Sequence, residues 1–257
     1  MEDIEVLKIG PGEQESRRTV DVVAEEVPVT IFAAGEELAT LLASPSDLDE
    51  LAVGFLHSSG LIEGFAAIED VRVDERQWCV RVALRGGARV DPELLTRRLF
   101  TPGCGRGTLF YSRADIAHTA ARGEVRLDRE ALLAMMSEFQ KSSPEFQDTG
   151  GVHSAALAAA TGILFVREDI GRHNAVDKVV GRALMQGIPL EDKIILSSGR
   201  ISSEIVMKVR KTAISTVVSR SAPTNQAVRH ARVADITLVG FARGRRMNVY
   251  SGERRIV

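Results

Sequence analysis

Three short segments in the second half of this chain combine arginine, glycine or proline, and small polar side chains. They are Asp169-Ile170-Gly171-Arg172-His173-Asn174, Ser197-Ser198-Gly199-Arg200 and Ser219-Arg220-Ser221-Ala222-Pro223-Thr224. Each follows an apolar run and precedes an amphipathic one. Free N–H groups at a helix start, together with the positive end of the helix dipole, attract anions. Three convergent arginine-bearing helix starts therefore suggest a phosphorylated ligand. The alternative is that the serines and Thr224 only cap helices. For a single turn capping is the simpler account, whereas for all three together a binding site is favoured.

Cys104 stands in Thr101-Pro102-Gly103-Cys104-Gly105-Arg106-Gly107-Thr108, where three glycines and a proline in eight positions exclude regular structure. Thiolate chemistry needs access and a positive neighbour, and Arg106 is two positions away. A lone cysteine is more often an inert structural residue, but one with glycines on both sides has little to pack against, so these residues alone leave both readings open. Cys79, in a strand-like run, reads as structural. His153, after Gly150-Gly151-Val152, and His173, at a helix start, lie beside the expected anion sites. Neither has a second histidine at metal-ligand spacing. Each is either hydrogen-bonded in place or able to donate to phosphate or stack on a base. Asp177 and Lys178 read as an ordinary exposed pair. Phe241-Ala242-Arg243-Gly244-Arg245-Arg246 is either a solvated hairpin tip or a phosphate clamp. The glycine-bearing turns match neither the P-loop nor the dinucleotide fingerprint.

These residues need a scaffold, and hydrophobic periodicity supplies one. Apolar strands at Ile163–Val166, Ile194–Leu196 and Thr216–Val218 each lead through one of the turns into a helix. Those helices carry Val176, Val179, Val180 and Ala183, then Ile205, Val206 and Val209, then Ala227, Val228 and Ala231. If the strands are parallel, the turns open on one sheet edge, where α/β proteins bind ligands. Upstream, Thr19–Ala24, Val27–Ala33 and Leu38–Ala43 read as strands. Residues 46–59 read as a helix, with Ser46 and Asp49 as a capping-box variant and Gly60 at the exit. Val71–Asp74 and Trp78–Leu84 are further strands, the latter placing Cys79 opposite Trp78, Val80, Val82 and Leu84. Asp128 caps a helix with Leu132, Leu133, Met135, Met136 and Phe139 on one face. A strand or short helix over Val152–Ala160 and strands at Ile236–Phe241 and Met247–Tyr250 complete the series. The expected organisation is a flexible leader (1–18), a small α+β domain (19–100), a flexible cysteine loop (101–113) and an α/β domain (114–257).

The composition, 44% hydrophobic and 26% charged, is that of an ordinary soluble protein. No apolar run approaches the roughly 18 residues of a membrane span, and the acidic start lacks a signal-peptide pattern; the cytoplasm is the expected location. Two cysteines build neither a disulfide scaffold nor a zinc-ligand set. Residues 1–75 hold 18 acidic against 4 basic side chains, and residues 200–257 hold 12 basic against 3 acidic. Such a chain suits a compact polyanion better than a nucleic acid. A sequence pI of about 6.3 and 5% aromatic residues also speak against RNA binding.

Gly150-Gly151-Val152-His153, the run Glu168 to Lys178, Ser198-Gly199-Arg200-Ile201-Ser202-Ser203-Glu204 and Ser219 to Thr224 resemble the signature blocks of the FdhD family. These are the formate dehydrogenase accessory sulfurtransferases. Asp47 to Leu56 resembles the family's N-terminal block, and the likeness runs from about residue 20 to the end. The resemblance implies an α/β fold: an α+β N-terminal domain, then a three-layer domain like that of cytidine deaminases, usually as a homodimer. It implies transfer of persulfide sulfur from a cysteine desulfurase to the molybdenum cofactor of formate dehydrogenase, Mo-bis(molybdopterin guanine dinucleotide). Cys104 is then the sulfur-carrying residue. The cofactor-binding residues that the resemblance implies are Gly150, Gly151, His153, Arg172, His173, Asn174, Ser198, Gly199, Arg200, Ser202, Arg220, Ser221, Thr224 and the segment 241–246. The family's interdomain Cys-x-x-Cys reads here Cys104-Gly105-Arg106-Gly107, so an internal disulfide is excluded. Zinc is not expected, because the His/Cys-x-Glu and Pro-Cys-x-x-Cys of zinc deaminases are replaced by His173-Asn174-Ala175 and Ser198 to Ser203. A cofactor chaperone that moves no sulfur is the remaining alternative.

Overall fold

The computed structural model describes residues 1–10, 16–87, 98–100, 108–110 and 125–257. Strands β1 (Glu2–Lys8) and β2 (Arg17–Val23) form an antiparallel hairpin, with Glu2 opposite Val23 and Lys8 opposite Arg17. This corrects the expectation of a frayed leader: alternating Ile4, Val6 and Lys8 suit a strand, and Lys8 pairs with Asp21 at 3.3 Å.

Strands β3 (Val27–Ala33) and β4 (Glu36–Ala43) precede helix α1 (Leu48–Ser59). Strands β5 (Ile68–Asp74) and β6 (Cys79–Leu84) then complete a four-stranded sheet in the order β4-β3-β6-β5. Period-two alternation turns Val29, Ile31, Ala33, Val80 and Val82 toward Leu51, Phe55 and Leu56 of α1. Burying each large apolar side chain there contributes about 1.5–3 kcal/mol. Cys79 is buried as well, on the alternate face of β6 and outside this core. Helix α1 starts differently from expectation. Asp47, at φ 52°, is its N-cap and makes no side-chain cap bond, so Ser46 and Asp49 form no capping box. Gly60, at φ 79°, closes the helix by donating to the carbonyls of His57 and Leu56.

Two short strands, β7 (Arg98–Phe100) and β8 (Thr108–Phe110), pair antiparallel. Residues 108–110 therefore belong to a ribbon rather than to an unstructured connector. Helix α2 (Arg129–Lys141) is capped by Asp128, whose carboxylate accepts from Ala131 N at 2.8 Å. A short helix, α3 (Pro144–Thr149), follows.

The remaining elements alternate. They are β9 (His153–Ala159), β10 (Gly162–Asp169), α4 (Arg172–Met185), β11 (Ile194–Ser197), α5 (Ser203–Lys211), β12 (Thr216–Ser219), α6 (Asn225–Val233), β13 (Thr237–Arg243) and β14 (Arg246–Ser251). The six strands form one mixed sheet in the order β10-β9-β11-β12-β13-β14. Along the strands, Leu157, Ile195, Val217 and Leu238 face α4, α5 and α6. Their neighbours Ala156, Ala158, Ile194, Leu196, Val218 and Val239 face Leu132, Met135, Met136 and Phe139 of α2. This is the three-layer α/β arrangement expected of the second unit.

The two units meet helix to helix. A β-carbon added at Gly54 of α1 would lie 1.8 Å from the Asp177 carbonyl oxygen, and one at Gly181 of α4 would lie 1.9 Å from that of Glu50. The backbones are thus in contact, and only glycine fits at either crossing point. Asp177 and Lys178 sit inside this junction, at 1% and 0% exposure. They are not the exposed pair that the sequence suggests. Asp177 meets Lys208 of α5 at 2.6 Å and accepts from the Ser58 hydroxyl at 2.7 Å.

Candidate functional site

Strand β9 is antiparallel to both β10 and β11, so β10 and β11 run in the same direction, and β12 and β13 are parallel to β11. The three arginine-bearing turns therefore open on one edge of the sheet, although β9 lies between the first two strands. The same edge receives the start of β9, with His153, and the end of β13, with Arg243.

Hydrogen bonds between hydroxyls and backbone join these segments. The Ser198 hydroxyl accepts from Ser154 N at 2.9 Å and lies 3.3 Å from His153 Nδ1. Gly199 N donates to the Ser197 hydroxyl at 3.2 Å, and the Ser219 hydroxyl donates to the Gly199 carbonyl at 2.7 Å. Arg220 N donates to the Ser197 carbonyl, which seats the third turn against the second. Thr224 N donates to the Ile201 carbonyl, and Phe241 N donates to the Ser221 carbonyl at 3.1 Å. Phe241 adopts φ 53°, a left-handed conformation that costs a non-glycine residue roughly 1–3 kcal/mol and clusters at functional sites. Its ring has the Arg243 guanidinium 5.8 Å from the centroid. Gly244, at φ 60°, makes the tight turn between Arg243 and Arg246, which are paired across it.

The geometry sorts the sequence candidates. His153, Arg172, Ser198 and Gly199 come together: a β-carbon at Gly199 would meet the Arg172 side chain at 3.0 Å and His153 Nδ1 at 3.4 Å. Ser202 and Thr224 cap α5 and α6, accepting from Ile205 N and Ala227 N, so the capping account holds for those two. The Asn174 amide faces the N-terminal unit, donating to the Leu42 carbonyl at 2.8 Å and to Asp169 at 2.9 Å. Ala242 is fully buried in the core beside α2. Gly150, at φ 65°, ends α3, and Gly151 packs on Ala24. Arg200, Arg243, Arg245 and Arg246 are exposed at the rim. Cys104 and Arg106 lie outside the described residues.

Both histidines are held neutral. Burial lowers the His153 pKa, and the neighbouring Arg172 and Arg200 lower it further against the opposing pull of Asp169. His173 is lowered to about 2 by burial, followed by the charges of Lys208 and Arg172. Its Nε2 lies 3.1 Å from the Ser202 hydroxyl and 3.4 Å from the Glu204 carboxylate. The positive charge of the edge therefore comes from guanidinium groups, and the imidazoles serve as neutral hydrogen-bonding partners. Among the described residues no group of three or more His, Cys, Asp and Glu side chains could hold a metal ion.

Glu204, Asp169 and Ser44 are contributors that the sequence reading did not single out. Asp169 and Glu204 stand within the signature blocks, and an Asp two residues before Gly171 is an Asx-turn signal. Ser44 carries no local signal, because its partners are over a hundred residues away.

Comparison with known proteins identifies relatives of nearly the whole chain. The chain is 43% identical over 243 residues to the sulfur carrier protein FdhD of Shouchella clausii (strain KSM-K16), covering 93% of this chain and 91% of the relative. It is 41% identical over 244 residues to the protein of the same name from Bacillus subtilis (strain 168), covering 94% and 93%. A solved structure from Desulfotalea psychrophila, described as a candidate formate dehydrogenase accessory protein, shares the fold with a TM-score of 0.81 at 24% identity, covering 99% of each chain. The FdhD/NarQ family model matches residues 24–257. That match takes in the whole sheet edge with its three arginine-bearing turns, and the chain belongs to the FdhD/NarQ family.

Proposed function

We propose that this protein is a sulfur carrier for formate dehydrogenase. It accepts persulfide sulfur on Cys104 from a cysteine desulfurase and passes it to Mo-bis(molybdopterin guanine dinucleotide), which enters as cargo for the apoenzyme. It works as a cytoplasmic homodimer. The observation that carries this reading is the convergence of Arg172, Gly199 and His153 with the Arg220 turn on one sheet edge. Helix starts and guanidinium groups gathered there suit a ligand with several phosphates. Neutral His153 and His173 add hydrogen bonds without adding charge.

In the loading step the Cys104 thiolate attacks the terminal sulfur of the donor's persulfide. A new S–S bond forms at Cys104, the donor's S–S bond breaks, and the donor cysteine leaves as a thiolate, with no net oxidation. Arg106 favours the anionic form of Cys104 both before and after loading. Mass spectrometry after incubation with desulfurase and cysteine tests this directly. One added sulfur on Cys104 is expected, and an unmodified Cys104 under conditions that load a Cys-x-x-Cys relative refutes it.

A second reading is favoured by one sequence observation: Gly107 stands where the second cysteine of Cys-x-x-Cys would be. The protein would then bind and chaperone the cofactor without moving sulfur. Formate dehydrogenase activation that survives Cys104→Ala selects this reading.

A further inference from the structure

We infer that Ser44, in the N-terminal unit, is a positioning residue of the anion site, completing a buried clamp that aims Arg172. The inference rests on the ligand reading given above. The clamp is built on Asp169, which is fully buried at the end of β10. Its Oδ1 accepts from Gly171 N at 2.8 Å and Asn174 Nδ2 at 2.9 Å. Its Oδ2 accepts from Ser44 N at 3.1 Å and meets Lys178 Nζ at 2.7 Å. The Ser44 hydroxyl accepts from Ile170 N at 3.1 Å, and the Ser44 carbonyl accepts from Lys178 Nζ at 3.4 Å. Asn174 adds its bond to the Leu42 carbonyl. The segment 169–171 and the first turn of α4 are thereby fixed to residues 42–44, with Ser44 lying 125 positions before Asp169.

The location of these bonds argues for aiming rather than for general cohesion. The body of α4 is already fixed by the crossing at Gly54 and Gly181. The Ser44 bonds act instead on the residues that immediately precede Arg172, whose side chain lies on Gly199. A buried amide without its acceptor is unfavourable, so losing the hydroxyl drives Ile170 to seek another partner and loosens the turn. At 1% exposure Ser44 cannot touch a ligand itself.

The test is a double-mutant cycle with GDP as the probe, read by calorimetry, together with amide hydrogen exchange of the ligand-free protein. Ser44→Ala is expected to weaken GDP binding three- to tenfold in the unmodified background and to have no further effect beside Arg172→Ala. Exchange should quicken in segments 169–174 and 198–200 and stay unchanged in β12 and β13. Additive losses in the cycle, or unchanged exchange at 169–174, overturn the inference. If Ser44→Ala does not fold, Asn174→Ala cuts the same clamp at the Leu42 carbonyl and must give the same pattern. A direct ligand contact by Asn174 would instead add to the Arg172→Ala loss and overturn the positioning role. Quicker exchange at both segments with no GDP binding by the unmodified protein refutes the nucleotide reading and leaves the clamp supported.

Discussion

Arg172 lies so close to Gly199 that a β-carbon at position 199 would come within 3.0 Å of both its Cβ and its Cδ. One side chain therefore sits on the bare backbone of the neighbouring turn, and any residue larger than glycine must displace it. Gly199→Ala is expected to weaken GDP binding at least tenfold, about 1.4 kcal/mol, with a small fall in melting temperature. Calorimetry that finds unaltered affinity shows that the Arg172 side chain makes no ligand contact.

Removing the guanidinium itself should cost more. Arg172→Ala or Arg220→Ala is expected to lose about 1.5–3 kcal/mol, the range for hydrogen bonds to charged groups, or ten- to a hundredfold in affinity. Equal binding by these variants and the parent rules out the sheet edge as the anion site.

Charge elsewhere should matter little. Glu36 and Glu37 begin β4, whose other end, Ala43, adjoins the clamp. At about 3.3 Å per residue the separation is roughly 20 Å or more, well beyond a Debye length of about 8 Å at physiological ionic strength. Lysine at either position should change GDP affinity less than twofold at physiological salt. A tenfold change there would mean that the N-terminal sheet contributes to the ligand's field.

Cys104→Ala should abolish formate dehydrogenase activation in cells while leaving GDP binding intact. Cys79→Ala should cause only a modest loss of stability, because Cys79 is buried away from the main core. Activation assays and calorimetry on the same two variants separate sulfur transfer from ligand binding.

His173 also predicts a pH dependence of stability. Its folded-state pKa of about 2 lies below the ordinary value of 6.5, so the unfolded chain binds the extra proton. Its contribution is complete above pH 6.5 and is lost as the pH falls toward 2. Between pH 8 and pH 5 the loss is about 2 kcal/mol from this group. Urea unfolding of His173→Gln should show a shallower decline over that range than the parent, and parallel declines would mean that the imidazole is not held neutral.

The strands and helices around the site were legible because their apolar residues repeat at the periods the sheet and helices require. Val27–Ala33 is a strand with the expected bounds, and Asp128 caps α2 as expected. The departures arise where a distant partner decides. Asp177 and Lys178 look like a surface pair until α1 covers them, and nothing local to Asn174 announces that its amide donates to the Leu42 carbonyl. Ser46 is a separate case with a local cause, since the adjacent Asp47 takes a left-handed turn that no sequence pattern announces. That the three turns share one edge could be read from the sequence because chain direction, rather than a long-range contact, brings them there.

The glycine crossing of α1 on α4 also has a consequence for synthesis. Helix α1 is finished by residue 59, whereas Gly181 and Lys208, which cover its outer side, emerge from the ribosome more than a hundred residues later. In the interval the nascent N-terminal sheet carries a helix with one side uncovered, including Ser58 and the backbone at Gly54. Chains stalled or truncated before residue 185 should therefore be aggregation-prone and dependent on chaperones. The order of translation thus makes completion of α4 and α5 the event that seals the first half of the molecule.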